Sequence, residues 1–136
     1  MRPNLFEWGE FTSHAGNQLQ YKIECDAFTN DDWDCLAKMV MQYETRPFSS
    51  VEGIPRGGVP FANALSQFAT GKSEHQPMIV DDIYTTGKSF YEYRKEHYDG
   101  YLSSAIITWV VFARGPVPNM ESTRALFYLP GSWRKI

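Results

Sequence analysis

Cysteine is nearly missing: Cys25 and Cys35 are the only two in 136 residues, and no Cys-x-x-Cys spacing joins them into a metal or redox motif. A disulfide framework is excluded, and both read as reduced core thiols. Long apolar runs are scarce as well. The longest, residues 105–113, is too short to cross a bilayer as a helix and reads as a buried strand. Pro3, Asn4, Glu7 and Glu10 interrupt the amino terminus, so no apolar leader is visible and the chain is expected to stay in the cytoplasm. A formal net charge of -3 gives no long-range attraction to nucleic acid or to an anionic membrane, and neither is an expected partner. No repeat or low-complexity tract divides the chain.

What is present is a core. With 43% hydrophobic and 15% aromatic residues, a chain of this length buries roughly two-thirds of its unfolded surface, enough for one cooperative unit. A single domain over residues 1–136 is predicted. Tyr21, Ile23 and Cys25 alternate with Lys22, Glu24 and Asp26, the period of a strand with one wet face over residues 20–26. Residues 11–13, before a turn at Gly16 and Asn17, are its expected hairpin partner. Thr29 and Asn30 suit a helix start, Asp31, Asp32 and Asp34 suit its positive first turn, and Trp33, Leu36, Ala37 and Val40 mark its buried stripe.

From there strands and helices alternate. A strand at residues 51–54 leads to Pro55-Arg56-Gly57-Gly58, after which Pro60 starts a helix with Phe61, Ala64, Leu65 and Phe68 on its apolar face and Gly71 as its stop. A strand at residues 78–80, a helix at 87–98, a strand at 105–113 and a last strand at 125–129 complete the pattern. Such alternation predicts an α/β fold with a parallel sheet flanked by helices. Ligands of these sheets collect beyond the carboxyl ends of the strands, where both glycine-bearing loops fall.

The densest chemistry lies in residues 80–89, Val-Asp-Asp-Ile-Tyr-Thr-Thr-Gly-Lys-Ser. A phosphate needs converging N–H donors, which a loop entering a helix supplies together with the helix dipole. Thr85, Thr86 and Ser89 add hydroxyls, and Gly87 allows close backbone approach. Asp81 and Asp82 can accept hydrogen bonds from a ribose diol and stabilise positive charge developing on the sugar. A nucleotide-binding P-loop fails here: Gly-Lys-Ser begins at Gly71 and at Gly87, but the glycine required five residues earlier is replaced by Ser66 and Asp82.

This segment resembles the fingerprint of the type I phosphoribosyltransferases: a strand, two acidic residues and a Thr-Thr-Gly-type loop. Residues 52–58, with Pro55, Arg56, Gly57 and Gly58, look like that family's pyrophosphate-binding loop. Residues 11–16 and 21–23 are similar to the amino-terminal hood of orotate phosphoribosyltransferases, and residues 112–116 look like a short, phage-type branch of the family. The resemblance implies a hood over about residues 1–30 and a core over 31–136. It implies 5-phosphoribosyl 1-diphosphate (PRPP) and a nucleobase as substrates, pyrophosphate as product and a homodimer.

By the same resemblance, Asp81 and Asp82 are the catalytic pair, contacting the ribose hydroxyls. Thr85, Thr86, Gly87, Lys88 and Ser89 hold the 5-phosphate, while Pro55, Arg56, Gly57 and Gly58 hold pyrophosphate. Tyr21 packs against the base, with Lys22 or His14 reading its polar edge. Mg²⁺ has no protein cage and arrives shared with the substrate phosphates, near Asp81 and Asp82. His14 stands where the orotate-type hood carries lysine, which argues against orotate itself, and Thr85 stands where 6-oxopurine transferases carry aspartate, which argues against hypoxanthine or guanine; a pyrimidine-like base is expected. Only residues 71–76 separate the middle helix from the next strand, where the family inserts extra strands and a mobile lid. Lys72, His75 and Arg114, or a neighbouring subunit, are the candidates to replace that lid. The alternatives are a PRPP or nucleotide sensor without turnover, and a structural scaffold.

Overall fold

The computed structural model describes residues 4–12, 18–102, 105–114 and 123–129. β1 (Phe6–Thr12) and β2 (Gln18–Ile23) form an antiparallel hairpin in which Phe6 faces Ile23 and Trp8 faces Tyr21. β1 is longer than the expected segment at residues 11–13. A bulge between Trp8 and Phe11 shifts the register, and the extra residue breaks the period-two pattern that would have revealed the strand. The turn with His14 and Gly16 lies outside the described residues. After β2, Cys25–Ala27 forms a single 3-10 turn.

α1 (Asn30–Tyr43) starts as its sequence dictates. The Thr29 hydroxyl accepts from the Asp32 N–H at 3.1 Å, and the Asp32 carboxylate accepts from the Thr29 N–H at 2.8 Å. This reciprocal cap satisfies two backbone donors that an open helix end leaves orphaned. Trp33, Leu36, Ala37 and Val40 are buried on one stripe. Cys25 is a buried thiol, but Cys35 is exposed, one position away from that stripe, which corrects its reading as a core residue.

β3 (Phe48–Gly53), β4 (Gln76–Tyr84), β5 (Ile107–Arg114) and β6 (Thr123–Leu129) form one sheet in the order β3-β4-β5-β6, every neighbouring pair parallel. α2 (Val59–Leu65) connects β3 to β4, and α3 (Lys88–His97) connects β4 to β5. The sheet buries both faces. On one, Met78, Val80, Ile107, Trp109 and Val111 pack with Trp33, Phe61, Leu65 and the hairpin residues Tyr21 and Ile23. On the other, Ile79, Tyr84 and Val110 pack with Phe90 of α3. Trp109, fully buried, donates its indole N–H to Glu44 at 3.0 Å, and Arg46 pairs with the same carboxylate at 2.9 Å.

Two boundaries differ from the sequence reading. α2 ends at Leu65 and is followed by a 3-10 turn, Ser66–Phe68, so Gly71, with φ 73°, belongs to the loop beyond rather than to the helix stop. β4 continues past Val80 to Tyr84, because Asp81 and Ile83 still pair with Val110 and Phe112 of β5. The aspartates therefore sit on a strand, not in a turn. No described helix is long and apolar enough to cross a membrane.

Candidate functional site

The carboxyl ends of β3, β4 and β5 open onto a cavity of about 900 Å³. Its walls bring together Pro55, Arg56 and Gly57 after β3, Asp81 and Asp82 on β4, and Thr85, Thr86, Gly87, Lys88 and Ser89 leading into α3. Lys22 and Ile23 of the hairpin close one side, and Arg114 stands at the end of β5. A smaller hollow of about 360 Å³ between α1 and α2 has only Asp34 as a charged wall, so chemistry concentrates in the larger one.

The β3 loop is fixed from below. The Ile54 N–H donates to the Val80 carbonyl at 2.9 Å, and the Gly58 N–H closes the turn on the Ile54 carbonyl at 2.9 Å. The Pro55–Arg56 peptide is cis. Gly57 lies so close to the Asp82 carboxylate that any Cβ there would overlap it. The β3 loop and β4 thus approach each other closely through a glycine and a carboxylate. Gly58 is buried beneath this contact and does not line the cavity.

Asp81 is only 8% exposed. Its carboxylate accepts from the Asp82 N–H at 2.9 Å, and Asp82 in turn accepts from the Ile83 N–H at 2.8 Å. Burial first, and the adjacent Asp82 second, raise the Asp81 pKa far above the ordinary carboxylate range. Burial thus disfavours the charged form of this carboxylate and favours a form that can donate one hydrogen bond as well as accept others.

Beyond β4, Gly87 takes φ 83° as the residue capping α3, and a Cβ there would strike the Tyr84 hydroxyl. The Lys88 N–H reaches the Thr86 hydroxyl at 3.4 Å. The first turn of α3 lies against the cavity and presents its backbone N–H groups and the positive end of the helix dipole to it. Lys88 also pairs loosely with Glu92, at 3.8 Å.

Of the residues expected at the base, Lys22 reaches the cavity wall and is paired with Glu24. Tyr21 does not line the cavity. It is held edge-on against Phe6 and carries the Arg114 guanidinium 4.0 Å above its ring, while Arg114 donates to the Tyr21 carbonyl at 2.7 Å. His14 lies outside the described residues. Arg114, 2% exposed, is the functional candidate that sequence reasoning had placed only among lid substitutes. Its signal was available: a charge ending an otherwise apolar strand, at the sheet edge where ligands bind. Lys72 and His75 cannot serve as lid residues. They precede β4, whose nine residues place them roughly 25 Å from the cavity, at the opposite end of the sheet.

The fold is that of the type I phosphoribosyltransferases: a parallel sheet flanked by helices, with a small antiparallel hairpin at the amino end. Among solved structures, orotate phosphoribosyltransferase from Aeropyrum pernix superposes with a TM-score of 0.69 at 17% identity, over 91% of this chain and 88% of that one. UMP synthase from Leishmania donovani gives 0.67 at 18% identity, over 91% of this chain but 33% of that longer protein. Mycobacterium tuberculosis orotate phosphoribosyltransferase, in complex with inorganic phosphate, gives 0.61 at 15% identity, over 89% of this chain and 86% of that one. No family model and no curated protein sequence matches the chain.

Proposed function

We propose that the protein transfers the 5-phosphoribosyl group from PRPP to a ring nitrogen of a pyrimidine-like base and releases pyrophosphate. The observation that carries this reading is the convergence of the β3 loop, the paired aspartates and the α3 amino end on one cavity. Backbone donors between Thr85 and Ser89 suit a 5-phosphate. Arg56 and the β3 loop suit the diphosphate, and the aspartates lie between these two anion sites, where the ribose diol of a bound donor falls. The activity named for the orotate phosphoribosyltransferases that share this fold agrees with the arrangement.

In the reaction, the C1–pyrophosphate bond breaks as the base nitrogen bonds to C1, and positive charge develops on the sugar ring. Asp82 places negative charge beneath it, and Arg56 offsets charge on the departing pyrophosphate. Lys22 and Arg114, on the hairpin side, face the acceptor. The two aspartates supply hard oxygen donors that fit Mg²⁺ shared with the diphosphate, and the bound ion would neutralise the leaving group. A homodimer is part of the proposal and is tested by light scattering.

Pyrophosphate release from PRPP and Mg²⁺ with a panel of pyrimidine and purine bases, beside calorimetric titration with PRPP, tests the reading. Turnover with a pyrimidine is expected. A second reading, a PRPP sensor, is favoured by the short connection after Phe68, which lies away from the cavity and so leaves it uncovered from that side. Tight binding without release of pyrophosphate would establish the sensor, and neither binding nor release would reject both.

A further inference from the structure

We infer that Glu52 is a positioning residue: its carboxylate, on β3, accepts hydrogen bonds from the Tyr98 and Tyr93 hydroxyls and so sets the pose of α3, whose amino end faces the cavity, relative to the β3 loop. In so far as it concerns a ligand, the inference rests on the function proposed above. The Tyr98 hydroxyl donates to Glu52 Oε2 at 2.5 Å, and the Tyr93 hydroxyl donates to the same oxygen at 3.3 Å. The bonded residues are 46 and 41 positions apart in sequence. They tie the carboxyl half of the helix to the strand that leads into Arg56 and Gly57, so one carboxylate links the elements carrying the two anion sites.

Little else fixes α3. Among the described residues Phe90 is its one buried side chain, and no side chain caps its amino end, whereas α1 buries Trp33, Leu36, Ala37 and Val40 and carries a reciprocal cap. A helix with so little packed surface depends on specific contacts for its orientation. The heights match. Glu52 is level with Ile79 of β4, five residues or about 16 Å below the end of that strand at Tyr84. The ten residues of α3 span roughly 15 Å, which returns Tyr98 to the same level. Glu52 shares its face of the sheet with Ile54, two residues on, which packs with Phe90. Both tyrosine rings are held: Tyr93 lies over His97 at 4.3 Å, Tyr98 meets Tyr101 edge-on at 5.3 Å, and both pack against the same cluster. Burial first, then Glu52, push the Tyr98 hydroxyl's pKa up, so it remains a donor.

The two anion sites can be probed separately, because pyrophosphate alone engages the β3 loop and ribose 5-phosphate alone engages the α3 end. A tether that sets their relative pose matters only to a ligand spanning both. In Tyr98→Phe, which removes the hydroxyl and keeps the ring, PRPP affinity by calorimetry with Mg²⁺ is expected to fall about tenfold, while the affinities for pyrophosphate and for ribose 5-phosphate each stay within about twofold. Tyr93→Phe, which loses the longer bond, is expected to lower PRPP affinity by about threefold. Glu52→Gln keeps an acceptor oxygen and is expected to bind PRPP more tightly than Glu52→Ala. The ligand-free readout is the orientation of α3 relative to β5, from residual dipolar couplings of their N–H groups, which is expected to change in Tyr98→Phe. Unchanged couplings, unchanged PRPP affinity, or an equal fall for all three ligands would overturn the inference. A parent protein that does not bind PRPP would sink the proposed function alone, because the couplings need no ligand and still test the tether.

Discussion

β5 and β2 touch through Arg114 and the Tyr21 carbonyl, yet they are built by different rules. All eight residues of β5 are buried, as befits a central strand of a parallel sheet covered on both faces. β2 and the turn after it alternate: Tyr21, Ile23 and Cys25 are buried while Lys22 and Asp26 are exposed. Stability is accordingly concentrated in the sheet. The hairpin instead contributes a wall to the cavity, through Lys22 and Ile23.

Four substitutions sharpen this contrast. Trp109→Ala, in β5, should cost about 3 to 5 kcal/mol in chemical denaturation, since it empties a large buried site and leaves Glu44 without its indole donor. Asp82→Asn should lower turnover by about a hundredfold while the melting temperature changes little. Equal turnover in variant and parent would remove the aspartate from the mechanism. Trp8→Ser, in the hairpin, should shift stability by no more than about 0.5 kcal/mol, because that side chain is 79% exposed. A cost comparable to that of Trp109→Ala would break the comparison.

Between Asp82→Asn and Trp8→Ser in size comes Asp81→Asn. The folded protein holds the Asp81 proton to a higher pH than the unfolded chain does. It therefore binds more protons from about pH 4 upward, and stability falls as pH rises toward the raised pKa. Asparagine removes that dependence. At pH 8 the variant should be more stable than the parent by about 1 to 3 kcal/mol, with a smaller difference at pH 5, read from denaturant midpoints. A variant less stable at both pH values would show that the buried aspartate is fully compensated.

The local parts of this architecture were legible in the sequence. The Thr29 cap and the Trp33-Leu36-Ala37-Val40 stripe determine α1 without reference to the rest of the chain, and the Asp-Asp to Thr-Thr-Gly segment marks its loop. What escaped depends on partners distant in sequence. The bulge hid β1, and the aspartates were expected beyond the end of a strand at residues 78–80, whereas pairing with Val110 draws Asp81 into the sheet. Arg114 acquires meaning only when the hairpin packs over the strand ends. Lys72 and His75 misled for the converse reason, since nearness to a missing insertion in sequence is not nearness to the site in space.

The central claim is that the loops after β3 and β4 jointly hold one PRPP molecule. Backbone amide shifts during titration with PRPP and Mg²⁺ test it most directly. Concerted, saturable shifts at Arg56 and Gly57 and at Thr85 through Ser89, with one common midpoint, are the predicted result. Shifts confined to one loop, or to the α1–α2 hollow, would contradict the account.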